Sequence, residues 1–100
     1  PTARTYATQA SADSIIEAIQ ELYANAKDEF EIAAEETEAN TVYAAEDRAA
    51  AREEFEKMKK VYEDAVGGQD AEISEDVKRR VGQRVRELES AILAMEELAQ

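Results

Sequence analysis

The chain has no cysteine and no histidine. Without cysteine there is no disulfide framework and no thiolate metal site, and the redox compartment stays open. Without histidine the commonest general base and the commonest metal ligand are lost together. One proline and three glycines leave long stretches with no breaker, whereas an all-β chain needs turn residues about every ten positions. No apolar run approaches the roughly 18 residues that suggest a bilayer span. Cations are scarce: 12 Lys and Arg stand against 24 Asp and Glu, for a net charge of −12. Such a surface repels nucleic acid and anionic membrane, so neither is the expected partner.

What is present favours helix. The 100 residues are 44% apolar and 36% charged, dominated by alanine and glutamate, a mixture suited to helices and to one domain with a modest core. Ala12, Ile15, Ile19, Leu22, Ala26, Phe30 and Ala33 recur at three- and four-residue steps, the signature of one apolar helical stripe. Ser14 with Glu17 forms a capping box at its start. Thr37, Asn40, Thr41 and Val42 weaken the helix signal, and Asn40 or Thr41 can cap a second helix. Ala44, Ala51, Phe55, Met58, Tyr62 and Ala65 line that second helix, with Arg48 completing the spacing. Gly67 and Gly68 end it, one of them in the left-handed conformation. Ser74 caps a third helix whose inner face is Val77, Val81, Val85, Leu88, Ile92 and Met95. Gly82 inside it implies the close approach of a neighbouring helix. The expected fold is therefore all-α, an up-down-up three-helix bundle with helices at about 11–38, 41–66 and 74–98. The alternative is a long hairpin in which the first two helices run on as one.

Residues 1–10 read as a flexible leader to a single helical domain, 11–100. Within the leader, Arg4-Thr5-Tyr6-Ala7-Thr8 resembles the end of a mitochondrial presequence, with an arginine two residues before an aromatic. That resemblance covers five residues and implies a mitochondrial address.

Candidate chemistry is thin. The pairs Glu17 with Glu21, Glu31 with Glu35, and Glu53 with Glu56 lie on adjacent turns, but di-metal bundle sites also need histidine, so these read as solvated faces. The stretch 64–75 lacks the acid spacing of a calcium loop. Ser11, Ser14 and Ser74 are explained as caps, and Gly67-Gly68 lacks the lysine of a phosphate loop. No catalytic residue, metal ligand or cofactor is expected.

Two features remain. Lys78, Arg79, Arg80, Arg84 and Arg86 place five of the twelve cations within nine positions. They serve either as pairs for the surplus acids, Glu63 and Asp64 among them, or as a patch for RNA, a nucleotide or a lipid head group. Ile16, Tyr23, Ile32, Val61 and Leu93 lie beside the apolar seams and either widen them or mark a partner face. The function expected first is a noncatalytic interaction module, an accessory subunit or assembly factor that contacts a protein partner or a second copy through Ile16, Tyr23, Ile32 and Leu93. The alternative is an anion-binding module using Arg79, Arg80, Arg84 and Arg86. A carrier of an apolar ligand within the bundle comes third.

Overall fold

The computed structural model describes residues 6–99, with side chains from Ser11 onward. Among these residues the chain forms three helices, α1 Tyr6–Ala39, α2 Ala44–Val66 and α3 Ala71–Leu98, and no strand. Each packs on both others, α1 most extensively on α2, through turns at residues 40–43 and 67–70. This is the expected up-down-up bundle. The 34 residues of α1 rise about 51 Å, which accounts for the long axis of a 54 × 19 × 16 Å molecule.

The break after α1 rests on one residue. Asn40 takes φ 54°, a left-handed conformation that its short polar side chain tolerates better than most. The Thr41 amide then donates to the Glu36 carbonyl at 3.1 Å and the Asn40 amide to the Thr37 carbonyl at 3.1 Å. Those two bonds are the Schellman closure, which satisfies the last carbonyls of a helix. Helices 1 and 2 are thus separate, and the continuous hairpin is ruled out. Thr41 caps the turn rather than α2. Its Oγ1 accepts from the Tyr43 amide at 3.2 Å and its hydroxyl donates to the Glu36 carboxylate. Consequently α2 starts at Ala44, three residues later than expected, with no side-chain cap at Tyr43.

Three expectations about helix ends are corrected. First, α1 already runs from Tyr6, because residues 6–10 contain no breaker. Ser11 and Ser14 are interior, exposed positions, and the capping box is not used. The rest of the leader, residues 1–5, lies outside the described residues. Second, Gly67 has φ −85° and no glycine is left-handed; its amide instead donates to the Glu63 carbonyl at 2.8 Å. Third, Asp70 caps α3 in place of Ser74. Its carboxylate accepts from the amides of Glu72 and Ile73 at 3.0 and 3.1 Å, and an anion there also meets the positive end of the helix dipole. Ser74 is buried and its hydroxyl donates to the Val66 carbonyl at 2.7 Å. It fastens the end of α2 to the first turn of α3.

The core follows a strict alternation of four- and three-residue steps. In α1 the seam is Ala12, Ile16, Ile19, Tyr23, Ala26, Phe30 and Ala33; in α2 it is Ala44, Arg48, Ala51, Phe55, Met58, Tyr62 and Ala65. Such a period of 3.5 keeps one face on its neighbour. Ile16, Ile19, Phe55, Met58, Val77, Val81, Val85, Leu88 and Ile92 form one continuous cluster. Towards the far end the side chains shrink, and Ala33 and Ala51 close around Met95. Gly82 is buried, and a methyl group there would sit 2.9 Å from the Tyr62 hydroxyl. The close approach expected of that glycine is therefore by a side chain of α2.

Candidate functional site

Polar ties fix how far α3 reaches along the other two helices. Arg80 Nη1 meets Asp13 Oδ1 at 2.7 Å near the start of α1, and Lys59 Nζ meets Glu89 Oε2 at 2.7 Å. Arg52 grips Glu96 through two bonds, Nε to Oε2 at 3.0 Å and Nη2 to Oε1 at 2.6 Å, and reaches Glu56 at 2.9 Å. Its guanidinium also lies 5.6 Å from the centre of the Phe55 ring. The hydrogen bonds from Arg52 hold the Glu96 carboxyl below its ordinary range against the opposing effect of burial. Equally, the Glu96 carboxylate raises the guanidinium further. A two-pronged ion pair sets register more sharply than a single contact.

Because Glu96 is level with Arg52, α3 ends beside the third turn of α2. The first turns of α2 and the turn at 40–43 project about two helical turns beyond it. At this step the molecule exposes apolar side chains: Val42 is 89% exposed, Tyr43 63% and Leu98 81%. Alongside runs a groove of about 630 Å³ between α1 and α3. Phe30, Ala34 and Thr37 line one wall, Ala91, Ala94, Met95 and Leu98 the other, and Glu38 sits at the rim. The groove exists because its walls are small. Alanines at 34, 91 and 94 leave a channel that larger side chains would fill.

The four residues expected to meet a partner fare differently. Ile16 is only 1% exposed and Tyr23 is half-buried beside Val81, Arg84 and Val85. Both belong to the four-three seam, so their surplus apolar area widens the core instead of facing outward; for Ile16 the expectation is overturned. Ile32 and Leu93 are exposed, at 49% and 47%, but neither lines the groove. Helical spacing places Tyr43 at the edge of the core and Leu98 at the end of the inner face of α3, yet both are exposed at this end together with Val42. Val42 lies in a turn and Leu98 at the last residue of a helix, where stripes carry no signal.

The four arginines do not form one patch: Arg79 and Arg86 line a common cleft, and Arg80 and Arg84 lie outside it. Arg79 pairs with the buried carboxylate of Asp76, and Arg80 divides between Asp13 and, at 3.7 Å, Asp76. Asp13 raises the Arg80 guanidinium chiefly through that hydrogen bond. Arg84 lies against Tyr23 and Gln20, and Arg86 reaches Gln83 at 3.2 Å. An open cleft of about 770 Å³ is lined by Tyr62, Lys78, Arg79 and Arg86, but Glu72, Glu75 and Asp76 line it too. Its charges balance, which is a poor cradle for an anion. The acids serving the cluster come from α1 and α3 themselves; of the α2 acids named above, Asp64 is engaged by Lys60 at 3.3 Å.

Among the described residues no three carboxylates gather where they could hold a metal ion, and no helix is long and apolar enough to cross a membrane. The crevice between Ile19, Tyr23, Val81 and Val85 closes with no room for a water molecule. An apolar cargo therefore finds no space there.

Residues 13–97 match the family model described as the embryogenesis-like protein helical domain, and the chain belongs to that family. No curated protein and no solved structure matches it.

Proposed function

Starting from membership of this helical-domain family, we propose that the chain is a noncatalytic interaction module, an accessory or assembly subunit that receives a partner helix between α1 and α3. The carrying observation is the groove of about 630 Å³ whose walls are Phe30, Ala34, Ala91, Ala94 and Met95, open to solvent beside an 81% exposed Leu98. Three-helix bundles present such channels between helices, and a fourth helix fills them with anchors at every third or fourth residue. The absence of chemistry supports the same reading. The sequence has no histidine or cysteine, and among the described residues the buried acid, Asp76, is engaged by Arg79 and Arg80, so none of them is a poised base or nucleophile.

The test is site-specific photo-crosslinking in the native source. A photoreactive residue at Ala94, in the groove, should yield one discrete adduct; the same residue at Glu53, on the exposed side of α2, should yield none. Identical adduct patterns at both sites, or none at either, would refute the groove as the docking face.

A further inference from the structure

We infer that the groove's occupant is a basic amphipathic helix of a partner protein, with lysine or arginine flanking its apolar stripe; this rests on the groove being the docking face. Secondary structure is settled by what the walls offer. Both are helices whose backbone groups are already bonded within themselves, so an extended peptide would find no donors or acceptors for its own backbone. A helix carries its bonds with it and needs only apolar contact. The length fits as well. Ala91 to Leu98 spans about 10 Å of rise and Phe30 to Glu38 about 12 Å, enough for anchors at i, i+3 or i+4, and i+7.

Charge selects the sign. Glu31, Ala34 and Glu38 follow one another along α1 at three- and four-residue steps, and Glu87, Ala91, Ala94 and Leu98 do so along α3. The stripes that form the groove therefore end in exposed carboxylates, with Glu35 one turn from Glu31. Among the described residues none of Glu31, Glu35, Glu38 and Glu87 is held in an ion pair. Across the packing of α2 on α3, by contrast, Glu89 and Glu96 each face a cation, as do Glu54 and Glu56 along α2. From Asp28 to Ala39 the chain contains no cation at all; Lys27 and Arg84, on the same faces, stand towards the other end. A second copy would bring the same carboxylates against themselves on a molecule of net charge −12. Like charges so placed oppose association, whereas a cationic flank is drawn in and oriented.

The experiment uses the full chain and three labelled 18-residue synthetic peptides, followed by fluorescence anisotropy. One carries leucines at helical spacing with lysine flanks, its twin carries glutamate flanks, and the third has the lysine peptide's composition with the leucine spacing scrambled. The lysine amphipath should bind at least about tenfold tighter than either control, equivalent to ~1.4 kcal/mol. Its advantage over the glutamate twin should shrink as salt rises. Glu31→Gln with Glu38→Gln and Glu87→Gln should remove most of that advantage, and Ala94→Glu should block both amphipaths without changing helicity. Equal binding of the two amphipaths would overturn the charge inference and leave the groove standing. Equal binding of the scrambled peptide, or indifference to Ala94→Glu, would overturn both. Dimerisation by sedimentation that Ala94→Glu abolishes would assign the groove to a second copy and overturn the basic partner.

Discussion

Replacing Gly82 with alanine tests the packing of α2 on α3 through two effects that oppose each other. Alanine in a helix interior is favoured over glycine by ~1 kcal/mol. Against this, the new methyl would lie 2.9 Å from the Tyr62 hydroxyl and 3.1 Å from Arg86 Nη1. Both are far ends of side chains that can swing, so the backbone need not move. Pushing Tyr62 some 30° from its rotamer costs about 0.5–1.5 kcal/mol. The two effects cancel, and Gly82→Ala alone should change stability by less than about 0.5 kcal/mol. Removing the hydroxyl changes the sum. In a Tyr62→Phe background the nearest ring atom is Cζ at 3.8 Å, an ordinary contact, and the remaining tight neighbour, Arg86 Nη1 at 3.1 Å, is the far end of an exposed side chain that can give way, so alanine should deliver most of its ~1 kcal/mol. Denaturant unfolding of the four proteins gives a double-mutant cycle with an expected coupling of about 0.5–1.5 kcal/mol, above the ~0.3–0.5 kcal/mol by which independent sites fail to add. In thermal melts 1 kcal/mol corresponds to about 4–8 °C for a domain of this size. A coupling of zero, with Gly82→Ala equally stabilising in both backgrounds, would refute the close approach.

Two further outcomes follow from the same packing. Glu96 is held below its ordinary value of about 4.5 by Arg52. The unfolded chain then binds that proton more readily, so the pair contributes fully above the ordinary value and is lost as pH falls through the lowered one. Both partners are about 30% exposed, so the contribution is at most ~1 kcal/mol after solvent screening; Glu96→Gln should lower stability at pH 7 by that amount and flatten the acid limb in urea titrations, and an unaltered limb would contradict the pair. Ile16→Asp and Leu93→Asp should part company: the first, in a fully buried seam, should cost more than ~3 kcal/mol and leave little folded protein by circular dichroism, while the second, at 47% exposure, should stay within about 0.5 kcal/mol.

The helices were readable because their stripes are long. The apolar seam of α1 repeats over about six turns and that of α3 over about five, enough to mark both segments as helices. Helix ends were harder to place. Ser74 has the side chain of a cap, but Asp70 stands four residues earlier, and only the position of Val66 shows that the serine is needed to tie two helices together. Ile16 shows the same limit on the core side. Two adjacent isoleucines, Ile15 and Ile16, cannot both centre a stripe. The strict four-three steps through Ala12 and Ile19 favoured Ile16, a signal present in the sequence and outweighed there by a looser count.

The sequence by itself determined that this protein is three helices with no histidine, no cysteine and a large negative charge, because periodicity and composition are properties of single segments. Tertiary structure alone decided where α3 stops against α2, which small side chains face each other across α1 and α3, and which carboxylates remain without a cation. Those are relations between residues far apart in the chain. They are set by the Arg52–Glu96 and Arg80–Asp13 ties and the packing around Met95, and no window along one helix contains both partners.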